Sequence, residues 1–258
     1  MMILEHDGKK VDFFQKIFTE DIIVNNFKKD YVVRKLGIWL SGGADSAFCL
    51  WFMARCINMY ELWDFELIPM HGHDTARVAD SRIAANAVVD YVKKSFPKVK
   101  IHDNYIFQYH KEKSSKDKGK YHDPIKYNLK KNETIHITVN AYTSNPPKQD
   151  MIDGGFYDNR EKDRDDVRAV FDEQVRQGIH GIKHGKGVKT FFDLHRPIAE
   201  VDKKFLAHFY KKFKIMDLFY LTVSCTSGYE NEVVPCKKCF WCKEKFWAFK
   251  MYDGGLLW

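Results

Sequence analysis

Leu36-Gly37-Ile38-Trp39-Leu40-Ser41-Gly42-Gly43-Ala44-Asp45-Ser46-Ala47-Phe48-Cys49-Leu50 is the stretch on which the fold turns. A short apolar run, a turn with paired glycines and a second apolar run follow one another without a gap. That pattern predicts a buried strand, a tight turn and the first turns of a helix. The first amides of a helix have no partner within it, and the helix dipole adds partial positive charge there. Glycines at that point let the main chain approach an anion closely. Ser41 and Ser46 bring hydroxyl donors. Asp45 is the odd member, because a carboxylate repels phosphate; it suits a helix start, or a group that meets a metal or substrate beside the phosphates.

Outward from this stretch the chain alternates. Strands are expected at Phe65–His71, Lys98–Phe107, Thr134–Ala141 and Thr190–Leu194. Helices are expected at Ala76–Phe96, where Val78, Ile83, Ala87, Val88 and Val92 form an apolar stripe, at Arg164–Gln177, and after Asp202. Alternation implies a parallel α/β sheet of about five strands with helices on both faces. Ligands of such sheets bind beyond the carboxyl ends of the strands. Ser41–Ser46, His71–Asp74, Tyr142–Pro147 and His195–Lys203 are therefore expected around one crevice, with His71 and His73 as candidate contacts. Residues 110–131 are polar and lysine-rich and look like an insertion.

The length of 258 residues supports a sizeable core, and a 45% hydrophobic, 15% aromatic composition excludes a disordered chain. No run of apolar residues is long enough for a membrane span. The amino-terminal residues Met1–Asp7 lack the basic-then-apolar order of a signal peptide, so a cytoplasmic location is expected. The net charge of +7 is modest, and its lysine runs read as solvated faces. RNA modules with stacking aromatics are not apparent, which leaves tRNA binding without a supporting motif. A homodimer is compatible with the sequence, which does not itself reveal oligomeric state.

Four of the six cysteines fall late in the chain, at Cys225, Cys236, Cys239 and Cys242. Four thiolates can surround one zinc ion tetrahedrally at about 2.3 Å each, leaving no open position for catalysis. Disulfides fit poorly with the absence of a secretion signal; an iron–sulfur cluster would use the same four residues. Cys49 and Cys56 read as core residues of the first helix.

Ser41-Gly42-Gly43-Ala44-Asp45-Ser46 resembles, at every position, the SGGxDS signature of the PP-loop ATP pyrophosphatases (the adenine nucleotide alpha hydrolase-like superfamily). Neither GxxxxGK[ST] nor GxGxxG is present. His195-Arg196-Pro197-Ile198-Ala199-Glu200-Val201-Asp202-Lys203-Lys204 resembles that family's proline-to-lysine segment, with Asp202 in place of the usual threonine. The following order of helix, Ser224-Cys225, Cys236-x-x-Cys239-x-x-Cys242 and an aromatic-rich terminal helix is similar to the 7-cyano-7-deazaguanine synthases of the queuosine pathway (QueC-like). The resemblance covers residues 36–60 and 195–250. Between them the chain departs from the family: Pro69-Met70-His71-Gly72-His73-Asp74 replaces a Tyr-Gly-Gln stretch, an Arg-Asn pair has no counterpart near His122-Asp123-Pro124, and Thr138-Val139-Asn140-Ala141-Tyr142 matches only in part.

The resemblance implies a Rossmann-like fold of HUP/PP-loop type. Residues 1–34 would be an amino-terminal extension, 35–215 the nucleotide-binding domain and 216–258 a small zinc-binding helical appendage. It implies an ATP-dependent carbon–nitrogen ligase that forms AMP and pyrophosphate, and takes a 7-deazapurine carboxylate and ammonia. ATP would be held by Ser41, Gly42, Gly43, Ala44, Asp45, Ser46, His71 and Lys203, with Mg²⁺ near Asp45. Asp45, Ser46 and Lys203 would act in the reaction, and Cys225, Cys236, Cys239 and Cys242 would hold Zn²⁺. The alternatives are another PP-loop enzyme, such as a tRNA-thiolating one with a reactive cysteine, and a non-enzymatic nucleotide-binding protein that engages a partner.

Overall fold

The computed structural model describes residues 3–13, 35–74, 81–109, 135, 137–157, 181–183, 189–191, 193–225 and 235–255. The expected helix at Arg164–Gln177, the insertion at 110–131 and His122-Asp123-Pro124 lie outside them.

An antiparallel hairpin, β1 (Ile3–His6) and β2 (Lys9–Asp12), opens the chain. The central strand β3 (Lys35–Trp39) leads through the glycine turn into α1 (Ala44–Met59). Then come β4 (Glu66–Asp74), α2 (Ser81–Ser95), β5 (Lys100–Ile101), β6 (Tyr105–Tyr109), β7 (Ile137–Asn140) and α3 (Lys148–Asp153). A second antiparallel pair, β8 (Gly181–Lys183) and β9 (Lys189–Phe191), precedes β10 (Asp193–His195). The chain closes with α4 (Lys203–Lys212), α5 (Met216–Tyr220) and α6 (Phe240–Phe249).

The main sheet runs β10-β7-β3-β4-β5, with β6 also paired to β4, and each of these pairings is parallel. From β3 the chain moves out to β4, β5 and β6, then returns to add β7 and β10 on the other side. The order therefore reverses at β3, and a crevice opens beyond the ends of β3 and β7, where a parallel sheet binds its ligands.

Side-chain alternation along the strands separates two cores. Leu36, Ile38, Leu67 and Val139 face the larger one, which α1, α2, α3, α4, α5 and α6 all join. Ile68, Met70, Phe107 and Ile135 form the smaller core, with Trp39 and Tyr105 against it. Among the described residues, every helix thus packs into the larger core.

α1 is apolar nearly all round, as expected of a helix enclosed by others. Phe48 and Phe52 stack at 5.6 Å, Phe13 meets Phe52 at 4.6 Å, and Phe213 meets Phe52 at 5.9 Å. Leu4, Val11 and Phe13 bring the hairpin into the same core as Trp247 and Phe249 near the other end of the chain. Emptying such a position, as Phe52→Ala would, costs about 3–5 kcal/mol.

Candidate nucleotide site and cysteine centre

The turn after β3 sets the start of α1, whose first amides have no partner within the helix, against the cavity, while the Gly43 amide donates to the Ser41 hydroxyl at 3.3 Å. Gly42 adopts φ +82°, and a Cβ there would meet the Ser81 carbonyl oxygen at 2.9 Å. Glycine is therefore required for both conformation and space. Gly43 caps α1 in extended conformation. The Ser46 hydroxyl donates to the Gly43 carbonyl at 3.1 Å and accepts from the Ser41 amide at 3.2 Å. It closes the turn on itself. The outer faces of the turn are fixed from behind: the Val223 amide donates to the Gly42 carbonyl at 2.9 Å, and the Tyr210 hydroxyl to the Ala44 carbonyl at 2.8 Å.

In front of the turn lies a cavity of about 230 Å³. Ser41, Gly43, Ala44 and Asp45 form one wall; Tyr142, Thr143 and Lys203 come from beyond the ends of β7 and β10. Val223, Ser224, Cys225, Trp241 and Glu244, from the carboxy-terminal segments, form a second wall, which meets the turn where the Val223 amide reaches the Gly42 carbonyl; Ser81 and Ala141 complete the lining. The sheet's reversal at β3 is what brings these segments together.

The cavity holds one ammonium between two carboxylates. Lys203, 4% exposed, donates to Glu244 Oε2 at 2.6 Å and stands 3.4 Å from Asp45 Oδ2. The Thr143 hydroxyl donates to the same Asp45 oxygen at 3.2 Å. Burial pulls the Lys203 pKa down, but the Asp45 and Glu244 carboxylates outweigh it and hold it above the ordinary lysine value. Asp202 caps α4 by accepting from the Phe205 amide at 3.1 Å, which sets the first turn and the direction of Lys203. Asp45 Oδ1 is buried and lacks a hydrogen-bond partner. An orphaned carboxylate oxygen beside a phosphate-binding turn fits a hard divalent cation such as Mg²⁺.

The cysteine centre adjoins this cavity. The sulfurs of Cys225, Cys236, Cys239 and Cys242 all lie within 4.8 Å of one another. A tetrahedral ion with bonds of about 2.3 Å would set them roughly 3.8 Å apart, so the group fits a metal. The Cys236 amide donates to Cys225 Sγ at 3.4 Å and the Cys239 amide to Cys236 Sγ at 3.3 Å, contacts that favour thiolate. Hydrogen bonds with Cys225 and Cys239, then burial, push the Cys242 thiol up, the expected state of crowded sulfurs whose charge only a cation can offset.

A buried ion pair joins the two regions. Lys245, fully buried, donates to Asp253 at 2.5 Å, to the Thr222 hydroxyl at 2.8 Å and to the Thr222 carbonyl at 3.1 Å. Asp253 Oδ2 in turn accepts from the Ser224 amide at 2.9 Å and the Cys225 amide at 3.0 Å. The segment 222–225 is thus pinned between the cysteines and the Gly42 carbonyl.

Of the residues singled out from sequence, the structure brings Ser41, Gly43, Ala44, Asp45 and Lys203 to the cavity. Gly42 and Ser46 shape it from behind. His71 does not itself line it, although its Nε2 stands 3.4 Å from the hydroxyl of Ser81, which does. His71 is 1% exposed, with Nδ1 2.7 Å from the Leu40 carbonyl, so it braces the end of β3. Arg160, Arg164 and Arg168 lie outside the described residues. Thr143 lies in the segment Tyr142–Pro147 expected at the crevice, without having been singled out. Sequence reading missed Glu244, Lys245 and Asp253. The signal was there for the first two, since Glu244-Lys245 interrupts a helix otherwise rich in Phe and Trp, and charges in such a setting need buried partners.

No curated protein sequence matches the chain. Among solved structures, it is similar to the U34-tRNA thiolase NcsA from Methanococcus maripaludis with its [4Fe-4S] cluster. That match has 10% identity and a TM-score of 0.41, over 89% of this chain and 69% of the thiolase. The family of the queuosine biosynthesis protein QueC matches over residues 36–253, a span that takes in both the glycine turn and all four clustered cysteines. The chain belongs to the queuosine biosynthesis protein QueC family.

Proposed function

We propose that the protein is an ATP-dependent ligase that converts 7-carboxy-7-deazaguanine and ammonia to 7-cyano-7-deazaguanine. The observation that carries this reading is the pairing of an amide-lined turn with one ammonium, Lys203, across a single cavity. The free amides at the start of α1 suit the β- and γ-phosphates of ATP. Lys203 suits the charge that grows on the bridging oxygen as pyrophosphate departs. Asp45 would hold Mg²⁺, which neutralises the triphosphate when bound.

A carboxylate oxygen of the acceptor attacks the α-phosphorus and pyrophosphate leaves, giving an acyl adenylate. Ammonia then displaces AMP to form the amide. In a second round the amide oxygen is activated by ATP in the same way, and loss of AMP with a proton from nitrogen leaves the nitrile. No cysteine nucleophile is needed. The clustered thiols suit a structural metal, zinc in this reading, since four ligands fill a tetrahedral site.

A thiolating enzyme would need a reactive thiol, and the two cysteines outside the cluster argue against one. Burial, aided by Cys56 and Asp45, pushes the Cys49 thiol well above its ordinary value. Cys56 is pushed up to about 12, again chiefly by burial.

Pyrophosphate and AMP release should require 7-carboxy-7-deazaguanine with ammonia and should not be supported by tRNA. Asp45→Ala should lower that turnover by about 10³-fold, a size typical of losing a key transition-state contact, with circular dichroism unchanged. Turnover within twofold of the wild type would defeat the assignment of Asp45.

A further inference from the structure

Glu244 stands two residues past Cys242 on α6, is 1% exposed, and lines the cavity. A carboxylate withdrawn from water needs a cation. Lys203 supplies it at 2.6 Å, from a position 41 residues earlier in the chain. The same ammonium is 3.4 Å from Asp45 Oδ2 on the turn side. It is therefore suspended between two walls. A lysine stem has four flexible carbons, and its ammonium goes wherever the nearest anion draws it. With Asp45 as its only carboxylate, Lys203 would fold onto that residue, neutralising the group best placed for a metal.

We propose that Glu244 is a positioning residue. It shares the Lys203 ammonium with Asp45 and holds it in the cavity between the two carboxylates, where it meets the phosphates of a bound nucleotide. This rests on the reading of the cavity as a nucleotide site, and is independent of which acceptor is activated there.

A simpler role for Glu244 predicts the opposite sign. As a mere neighbouring negative charge it would repel a polyanion, and removing that charge would tighten nucleotide binding. As a positioning residue, its loss weakens binding. The full-length, metal-loaded protein can be titrated with Mg²⁺ and α,β-methylene-ATP by calorimetry, as wild type, Glu244→Gln, Glu244→Asp, Lys203→Met and the double variants. Melting temperature and metal content are measured alongside. Glu244→Gln and Glu244→Asp should each bind roughly tenfold or more weakly, the scale of a charged hydrogen bond. The aspartate keeps the charge but is one methylene too short for the contact. The double variant with Lys203→Met should bind no worse than Lys203→Met alone, because Glu244 acts through that lysine.

Unchanged or tighter binding by Glu244→Gln overturns the proposal, and so do losses that multiply in the double variant. If Glu244→Gln fails to fold, Glu244→Asp and its double variant decide the matter by the same criteria. A wild type that binds the analogue but releases no AMP with 7-carboxy-7-deazaguanine and ammonia would refute the acceptor reading alone. A wild type that does not bind the analogue would refute both.

Discussion

The two walls of the cavity are made in different ways. The glycine-turn wall, residues 41–46, is contiguous, and its chemistry is that of the main chain: amides, held open by a glycine at φ +82°. The second wall is assembled. Thr222–Cys225 and Glu244 come from segments about twenty residues apart, and the Lys245–Asp253 pair fastens them where no water reaches. The contiguous wall takes its shape from local geometry and is steadied from behind by Val223 and Tyr210. An assembled wall depends on each fastener, because removing one leaves another buried group unmatched.

The contrast can be broken most sharply at Lys245. Lys245→Met strips a buried carboxylate of its cation and should cost about 3–5 kcal/mol. For a chain of this size that lowers the melting temperature by roughly 10 °C. The variant should also bind ATP analogue more weakly, because the Val223 amide, in the same pinned segment, holds the Gly42 carbonyl at the back of the turn. A melting temperature within 2 °C of wild type would show that the second wall needs no such fastener.

Cys239→Ser tests the metal as a second fastener. It should lose the bound ion, read by elemental analysis, and with it several kcal/mol of stability, since binding free energy at such a site is folding free energy. A variant that keeps its metal and its melting temperature contradicts a structural role. Gly42→Ala is the smallest change and probes the first wall. Strain at positive φ plus the 2.9 Å approach to the Ser81 carbonyl should cost about 1–3 kcal/mol. The loss should appear in nucleotide affinity while metal content stays that of wild type. A loss of metal instead would mean that the walls are one unit.

The same difference governs what could be read from sequence. The turn, its strand and its helix were legible because period and glycine spacing are local. So was the cysteine cluster, whose residue type announces its chemistry. The expected second strand ends at His71; pairing with β6, which no local pattern reports, carries β4 on through Asp74. The Thr143–Asp45 contact and the role of Glu244 were illegible for another reason. The partners lie 98 and 41 positions apart, and no local rule reports a contact across that distance.

The carbonyls of Gly42 and Ala44 are already engaged, by the Val223 amide and the Tyr210 hydroxyl, at 2.9 and 2.8 Å. The peptide planes of the turn are thereby oriented when the chain folds, not when an anion arrives. The entropy of ordering them is met once, out of folding free energy, and is not charged again at each turnover.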